Sequence, residues 1–245
     1  MTSAKARQTY RNRNYSPIDR FITGVDQALQ TVFGMPAGTG RKDPASTATP
    51  PESASTAPGA QTSGETVTAS ETAELTDQQR KHHAALMRIN HSGEVCAQAL
   101  YQGQALTARS QKVRESMQRA SDEENDHLRW CRHRLKELDS RVSYLNPLWY
   151  LGSFTIGAVA GLAGDKWSLG FVAETERQVV KHLDEHLQQI ADTDYKTHAV
   201  LEQMKIDEAE HATNAVKSGA AELPQGIKTL MRFSSKVMTG TTYWI

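Results

Sequence analysis

The 245-residue chain has few cysteines and no excess of either charge, and both features restrict what it can be. Its two cysteines, Cys96 and Cys131, have neither C-x-x-C nor zinc-type spacing, so buried free thiols in a reducing compartment are expected. Lys and Arg number 28 against 28 Asp and Glu, so no nucleic-acid partner is expected. The N-terminus up to Arg20 lacks the apolar stretch and small cleavage-site residues of a secretory signal, which indicates a cytoplasmic protein.

Residues 1–35 are predicted to contain a basic, amphipathic helix. Ser16 followed by Pro17 is typical of a helix cap and first helical position. Apolar residues then recur at three- and four-residue intervals, as on one helical face: Ile18, Phe21, Ile22, Val25, Leu29, Val32 and Phe33. Nearby arginines (Arg7, Arg11, Arg13 and Arg20) suit an anionic membrane surface, but packing on the protein's own domain fits the pattern equally well.

Residues 36–74 are dominated by Pro, Ala, Ser, Thr and Gly and contain almost no large apolar side chain. Such a segment buries too little surface to offset the entropy of ordering it, so a disordered linker is predicted. From residue 75 to residue 245 the pattern is helical, with long helices at roughly 76–109, 111–139, 168–191 and 194–219 and a short one after Pro224. The predicted fold is all-α, a ferritin-like four-helix bundle with extra N- and C-terminal helices.

The segment 142–166 is predicted to be an apolar, membrane-associating insert. Residues 142–164 carry no charge and are long enough for a membrane span. Asn146, Pro147 and several glycines interrupt the segment, and aromatic residues of the kind found at membrane interfaces flank it. A segment that dips into one leaflet or lines an apolar entrance is therefore favoured over a transmembrane helix, with an ordinary buried crossover as the alternative.

Two Glu-x-x-His motifs carry the chemistry, Glu124 with His127 and Glu208 with His211. One such motif would be expected by chance in a glutamate-rich helical chain, where both side chains are usually solvated. Both pairs, however, fall on the apolar stripes of their predicted helices, marked by Leu128, Cys131 and Leu135 and by Leu201, Met204 and Ala215. A carboxylate on a core face requires a partner, so these positions indicate a bound cation.

Two further glutamates complete the predicted metal site. On the third long helix Glu176 lies within the apolar stripe, whereas Glu174 points away and is predicted to be ordinary surface. On the first, Glu94 follows Gly93 and shares a face with Ala97 and Tyr101. One glutamate from each of two helices plus a Glu-x-x-His from each of the other two is the ligand set of di-iron and di-manganese carboxylate bundles. Asp207, Glu123 and His182 are weaker candidates for hydrogen-bond partners of the ligating histidines.

The sequence around these residues resembles that of the demethoxyubiquinone hydroxylases of ubiquinone biosynthesis. The resemblance covers most of residues 75–219, and its motifs are Arg88–Ala97, Asp122–Leu128, Asn146–Trp149, Phe171–Glu176 and Asp207–His211, with Ser16–Arg20 resembling the start of bacterial members. It implies two iron ions per subunit, one bound by Glu94, Glu124 and His127 and the other by Glu176, Glu208 and His211, with some carboxylates shared. The long low-complexity segment is the main departure from the family pattern.

The resemblance further implies that the chain uses O2 and a reductant to hydroxylate the ring of 3-demethoxyubiquinol, a prenylated benzoquinol. It also implies a peripheral protein on the cytoplasmic face of the cell membrane. We therefore expect contacts with membrane lipid and with accessory ubiquinone-biosynthesis proteins. Two other functions use the same residues. A ferritin-like iron-storage or peroxide-scavenging protein would need no organic substrate, and a metal-free membrane adaptor would use the glutamates only structurally.

Overall fold

The computed structural model describes residues 16–50 and 75–245, and every regular element within them is helical. The α-helices are α1 (Pro17–Val32), α2 (Asp77–Thr107), α3 (Gln111–Glu137), α4 (Asn146–Leu162), α5 (Asp165–Leu187), α6 (Tyr195–Lys217) and α7 (Gln225–Thr242). The all-α prediction is confirmed, and the four long helices lie within a few residues of their predicted positions. Residues 1–15, with three of the four N-terminal arginines, and 51–74 of the predicted linker lie outside the described residues.

Helices α2, α3, α5 and α6 form the bundle. A three-residue connection joins α2 to α3, and α5 packs along α6, so each pair is a helical hairpin. The Thr76 side chain caps α2 by accepting a hydrogen bond from the backbone N–H of Gln79. The Gln79 side chain in turn accepts a hydrogen bond from the backbone N–H of Thr76. The largest core cluster draws on all four helices and includes Leu86, Met87, Cys131, Leu135, Leu183, Leu201 and Met204.

Helix α1 begins as its sequence predicts, but most of its apolar face points outward. Ser16 and Asp19 form a reciprocal capping box at its start. Val32 is buried against α2, α3 and α4, whereas five apolar residues are exposed: Ile18, Ile22, Val25, Leu29 and Phe33. Of the two interpretations left open by the sequence, packing on the protein's own domain accounts for only the end of this helix.

Residues 34–47, called the strap below, are ordered and pack on the bundle. The prediction of a linker that is disordered from residue 36 is therefore wrong for this part. Ala45 is buried in the main core cluster, within a short 3-10 helix at Pro44–Ser46. Thr39 donates its backbone N–H to Asp126 of α3 at 2.9 Å, and Asp43 lies 3.2 Å from His133 of the same helix. The prediction failed here because polar anchors on α3, rather than apolar burial alone, hold this segment.

Helix α4 corresponds to the predicted apolar insert and has two different sides. Its inner side meets α2 at glycines: a Cβ added at Gly157 would collide with the backbone of Leu100, and one at Gly103 with the backbone of Phe154 and Ala158. Its outer side exposes Leu148, Leu151, Ile156, Val159 and Leu162. An ordinary buried crossover, the alternative from the sequence, is therefore excluded.

Helix α7 is longer than the short C-terminal helix predicted. It spans 18 residues and exposes a second set of apolar side chains, Ile227, Leu230, Phe233 and Val237. The indole N–H of Trp149 donates to Thr242 at 3.1 Å, which joins α4 to α7. Within residues 16–50 and 75–245, none of the helices combines the length and the hydropathy that a membrane span requires.

Asp194 caps α6 and links three parts of the bundle. Its carboxylate accepts hydrogen bonds from the Thr197 backbone and side chain, from Arg134 of α3 at 2.7 Å, and pairs with His83 of α2 at 2.8 Å. Although burial opposes ionisation, these partners lower the pKa of Asp194 from 3.8 to about 2. The group therefore stabilises the fold most above pH 3.8, and this contribution is lost as pH falls through about 2.

We expect Asp194→Asn to lower the free energy of unfolding by about 2 kcal/mol near neutral pH, because the buried Arg134 loses one of its two carboxylate partners and keeps only Glu137. The native chain itself loses about 1 kcal/mol of this stabilisation by pH 3, which lies between the unfolded and folded pKa values of Asp194, so the difference between the two proteins should narrow between pH 6 and pH 3. Urea unfolding at both pH values measures this. A difference that stays constant would contradict the role given to the Asp194 charge.

Candidate metal centre

Each bundle helix contributes one buried glutamate to the same part of the interior. These are Glu94 of α2, Glu124 of α3, Glu176 of α5 and Glu208 of α6, and all are at most 3% exposed. His127 and His211, one helical turn after Glu124 and Glu208, are also buried. The apolar stripes of the sequence thus predicted the burial of five of these side chains, because residues three apart on a helix share a face, whereas Glu94 was assigned from its neighbours Gly93, Ala97 and Tyr101.

Glu124 and Glu208 lie between the two histidines. His127 Nδ1 is 2.9 Å from Glu124 Oε2 and 3.1 Å from Glu208 Oε1. His211 Nδ1 is 3.3 Å from an oxygen of each of the same two glutamates. Glu94 Oε2 lies 3.7 Å from His127 Nδ1, and one ligand atom from each of Glu94, Glu124, His127 and Glu208 lies within 4.8 Å of the others. The sequence could not show which glutamates lie at the centre of the cluster. The distances to both histidines place Glu124 and Glu208 there.

The outer nitrogens of the two histidines are held by crossed carboxylate partners. His127 Nε2 of α3 lies 2.9 Å from Asp207 of α6, and His211 Nε2 of α6 lies 2.7 Å from Glu123 of α3. A carboxylate on Nε2 keeps a proton there, so that Nδ1 could bind a cation placed among the glutamates. The weaker candidates Asp207 and Glu123 therefore do contact the histidines. His182 does not, because its ring packs on His186 with centroids 4.0 Å apart.

Glu176 completes the cluster on the α5 side. Tyr101 of α2 donates its hydroxyl to Glu176 Oε1, and the Tyr101 ring also contacts His211 edge-on, with centroids 6.5 Å apart. Sequence reasoning missed this contact, although Tyr101 lies two turns after Glu94 on the same helical face. The prediction that Glu174 is ordinary surface is wrong: Glu174 is buried, accepts a hydrogen bond from Gln178 at 2.7 Å and lies 3.6 Å from Lys228 of α7.

The electrostatics of the cluster fit a bound cation. Burial, followed by the charge of Glu124, raises the pKa of Glu94 well above its ordinary value, and burial with the charges of Glu208 and Glu124 does the same for Glu176. Glu176 Oε2 is buried and has no hydrogen-bond donor. Buried carboxylates at this density repel one another unless positive charge lies between them. Oxygen ligands with imidazole nitrogen suit iron or manganese, so the group of Glu94, Glu124, His127 and Glu208 could hold such an ion.

Comparison with known proteins gives consistent relationships over most of the chain. Residues 81–242 match the family model described as "Ubiquinone biosynthesis protein COQ7". A protein of Nitrosococcus oceani named 3-demethoxyubiquinol 3-hydroxylase is 53% identical over 233 residues, which cover 95% of this chain and 99% of that protein. A protein of the same name from Nitrosomonas europaea is 50% identical over 228 residues, covering 93% and 99%. With this length of match and this level of identity, the chain belongs to the COQ7 family of ubiquinone biosynthesis proteins.

Proposed function

We propose that this chain is an O2-dependent hydroxylase that adds a hydroxyl group to the ring of 3-demethoxyubiquinol during ubiquinone biosynthesis. The names of its near-full-length relatives support the reaction and the substrate. The structural observation that carries the proposal is the pair of buried histidines, each fixed at Nε2 and facing a cluster of four glutamates with Nδ1. This is the arrangement that a two-metal carboxylate centre requires.

We assign two iron ions to this cluster. Glu94 and His127 would bind one ion and Glu176 and His211 the other, with Glu124 and Glu208 shared between them. The contacts of both central glutamates with both histidines support this sharing. Four ionised carboxylates balance the charge of two ferrous ions, so the reduced centre would be neutral and its burial would carry little electrostatic cost.

The iron pair would supply the reduction of O2 that delivers one oxygen atom to the ring and the other to water, with electrons from a reductant. The chain's own residues would orient the metal ligands and exclude bulk water from them. Asp207 and Glu123 hold the Nε2 protons of the histidines, and the Tyr101 hydroxyl fixes one oxygen of Glu176. Because all four glutamates are buried, bulk water is excluded from the reacting atoms.

A narrow gap between α2 and α5 is the approach we propose for the quinol ring, and because this gap has no room even for a water molecule, the two helices must move apart to admit the ring. The gap ends at Glu176 and is lined by apolar side chains that include Leu100, Phe171 and Val172. Gln104 and Thr175 also line it, and Gln104 Oε1 and Thr175 Oγ1 are buried without a hydrogen-bond partner. Acceptors of this kind suit a ring that carries hydroxyl donors.

Iron content and product formation test the proposed function together. The purified chain, loaded with ferrous iron, is incubated with 3-demethoxyubiquinol, air and a reductant, and the hydroxylated quinol is measured by mass spectrometry. We expect about two irons per chain and O2-dependent product. Iron without product would instead favour iron storage or peroxide removal. Neither iron nor product would favour a structural membrane adaptor.

We also propose that the protein acts as a peripheral protein at the cytoplasmic face of the cell membrane, where accessory proteins of the pathway could present the substrate. The surface that supports this, called the apolar face below, consists of the exposed apolar residues of α1, α4 and α7 given above, together with Trp244. Helix α4 contacts both α1 and α7. Exposed apolar area on this scale marks an interaction surface, and a polyprenyl tail could stay in lipid beside it.

We expect the double variant Leu151→Ser and Phe233→Ser to bind anionic phospholipid vesicles at least about tenfold more weakly than the native chain, because two apolar side chains no longer enter the lipid. Co-sedimentation with vesicles measures the bound fraction. Ile206→Ser is the matched control, since Ile206 is equally exposed but lies on α6, away from the apolar face. Equal binding by the native chain and the double variant would argue against membrane contact through this face.

A further inference from the structure

Arg41 of the strap reaches one of the two crossed carboxylate and histidine pairs. Its Nη2 lies 2.6 Å from Asp207 Oδ2, and the same oxygen lies 2.9 Å from His127 Nε2. The Arg41 guanidinium also lies over the Trp130 ring, 4.9 Å from its centroid, and that ring is 5.3 Å from the ring of His127. Arg41 thus contacts both groups that hold His127 in place, without touching the glutamate cluster.

The second pair has no such partner. Glu123, which holds His211, is 45% exposed, and across the described parts of the chain no lysine or arginine forms an ion pair with it. The two pairs have the same layout, because each acid precedes the glutamate of a Glu-x-x-His motif and reaches across to the histidine of the other motif. They differ in burial, since the Asp207 side chain is 13% exposed. Arg41 therefore adds a positive charge beside the His127 half of the site only, whereas the Tyr101 hydroxyl contacts Glu176 in the other half.

The strap holds Arg41 in place from both sides. Before it, Asn125 donates to the carbonyl of Ala37 and the Thr39 backbone donates to Asp126. After it, Asp43 contacts His133, and Ala45 is buried in the core. The Arg41 side chain is 34% exposed, but contacts on either side restrict the backbone at Arg41 and favour the return of its guanidinium to the same carboxylate.

We propose that Arg41 is a positioning residue that makes the two metal positions inequivalent, so that the iron bound by His127 is the more easily reduced. The inference rests on the two-iron centre proposed above. A nearby positive charge opposes the extra charge of ferric iron. By sharing Oδ2 of Asp207, Arg41 also weakens that carboxylate as an acceptor for His127, and a less electron-rich imidazole stabilises ferric iron less well. Both effects raise the reduction potential at the same iron.

Redox titration of the iron-loaded full chain tests this proposal, with electron paramagnetic resonance used to follow the half-reduced state. In the native chain the two one-electron potentials are expected to differ. In Arg41→Gln the upper potential should fall by about 59 mV, a tenfold change in the equilibrium constant for one electron, and the half-reduced state should become less populated. Arg41→Lys, which keeps the charge, should stay close to native.

Asp43→Ala is the matched control, because it removes a strap contact and the cap of the 3-10 helix but keeps Arg41. Native potentials in Asp43→Ala, together with the shift in Arg41→Gln, would support the proposal. An equal shift in both variants, or an equal shift in Arg41→Lys and Arg41→Gln, would overturn it by assigning the effect to strap anchoring or to guanidinium geometry. Two irons with unchanged potentials in Arg41→Gln would overturn this inference alone, whereas a native chain that does not bind two irons would overturn the proposed centre as well.

Discussion

Glu176→Ala is expected to abolish ring hydroxylation and to lower the iron content of the chain. Glu176 is the buried acid that α5 contributes to the cluster, and Tyr101 already holds one of its oxygens. Loss of a group that orients a metal ligand typically costs ten- to a hundredfold in affinity or activity, so removing a ligand itself should cost at least about a hundredfold. Iron analysis and product formation under air and reductant measure both effects.

Glu174→Gln is the matched control, two residues away on the same helix. Glu174 is also buried, but it contacts Gln178 and Lys228 rather than the glutamate cluster. Gln keeps the shape of the side chain, so this variant should retain native iron content and most of the activity. If Glu174→Gln lost the iron and Glu176→Ala kept it, the assignment of the α5 ligand would be wrong.

The second large effect is expected at the contact between α2 and α4. Gly157→Val should destabilise the chain by about 3 kcal/mol or prevent its folding, at or above the usual range for overpacking. A Cβ at this position would lie 2.9 Å from the Leu100 Cα and closer still to the Leu100 carbonyl oxygen. Backbone atoms cannot rotate away as a side chain can, so the two helices would have to separate.

Gly152→Ala provides the comparison within the same helix. No atom lies within 4 Å of a Cβ built at Gly152, and alanine is favoured over glycine in a helix interior by about 0.5 to 1 kcal/mol. This variant should therefore be as stable as the native chain or slightly more so. Thermal unfolding followed by circular dichroism compares the two. Similar melting temperatures for Gly157→Val and the native chain would mean that the close contact between α2 and α4 is not required.

The sequence predicted the bundle and the burial of five of its six predicted metal ligands, Glu94 excepted, because helical periodicity reports which face each residue occupies. Glu124, His127, Glu208 and His211 are examples, since each lies on an apolar stripe and each is buried. Their roles as metal ligands stay a prediction until metal is measured. Periodicity does not report how far one helix is shifted along its neighbour, so the pairing of Asp207 with His127 and of Glu123 with His211 could not be derived from it.

Other features depended on contacts between distant parts of the chain. Arg41 lies in a stretch that composition alone marks as disordered, and the residue with which it forms an ion pair, Asp207, lies 166 residues later. Glu174 was expected at the surface because the periodicity of α5 takes no account of α7, whose Lys228 lies beside it. The packing of the inner side of α4 could not be predicted either. Its glycines look like interruptions of an apolar run in the sequence, but in the structure they let α4 approach α2 closely.

The two crossed pairs between α3 and α6, Asp207 with His127 and Glu123 with His211, also fix the position of one helix along the other. Each helix supplies one acid and one histidine, so a slide of α6 along α3 by one turn, about 5.4 Å, would break both pairs at once. No intermediate shift preserves one pair at the expense of the other. Partial slippage of the bundle is therefore disfavoured, and the two halves of the cluster should form and dissolve together as one cooperative unit.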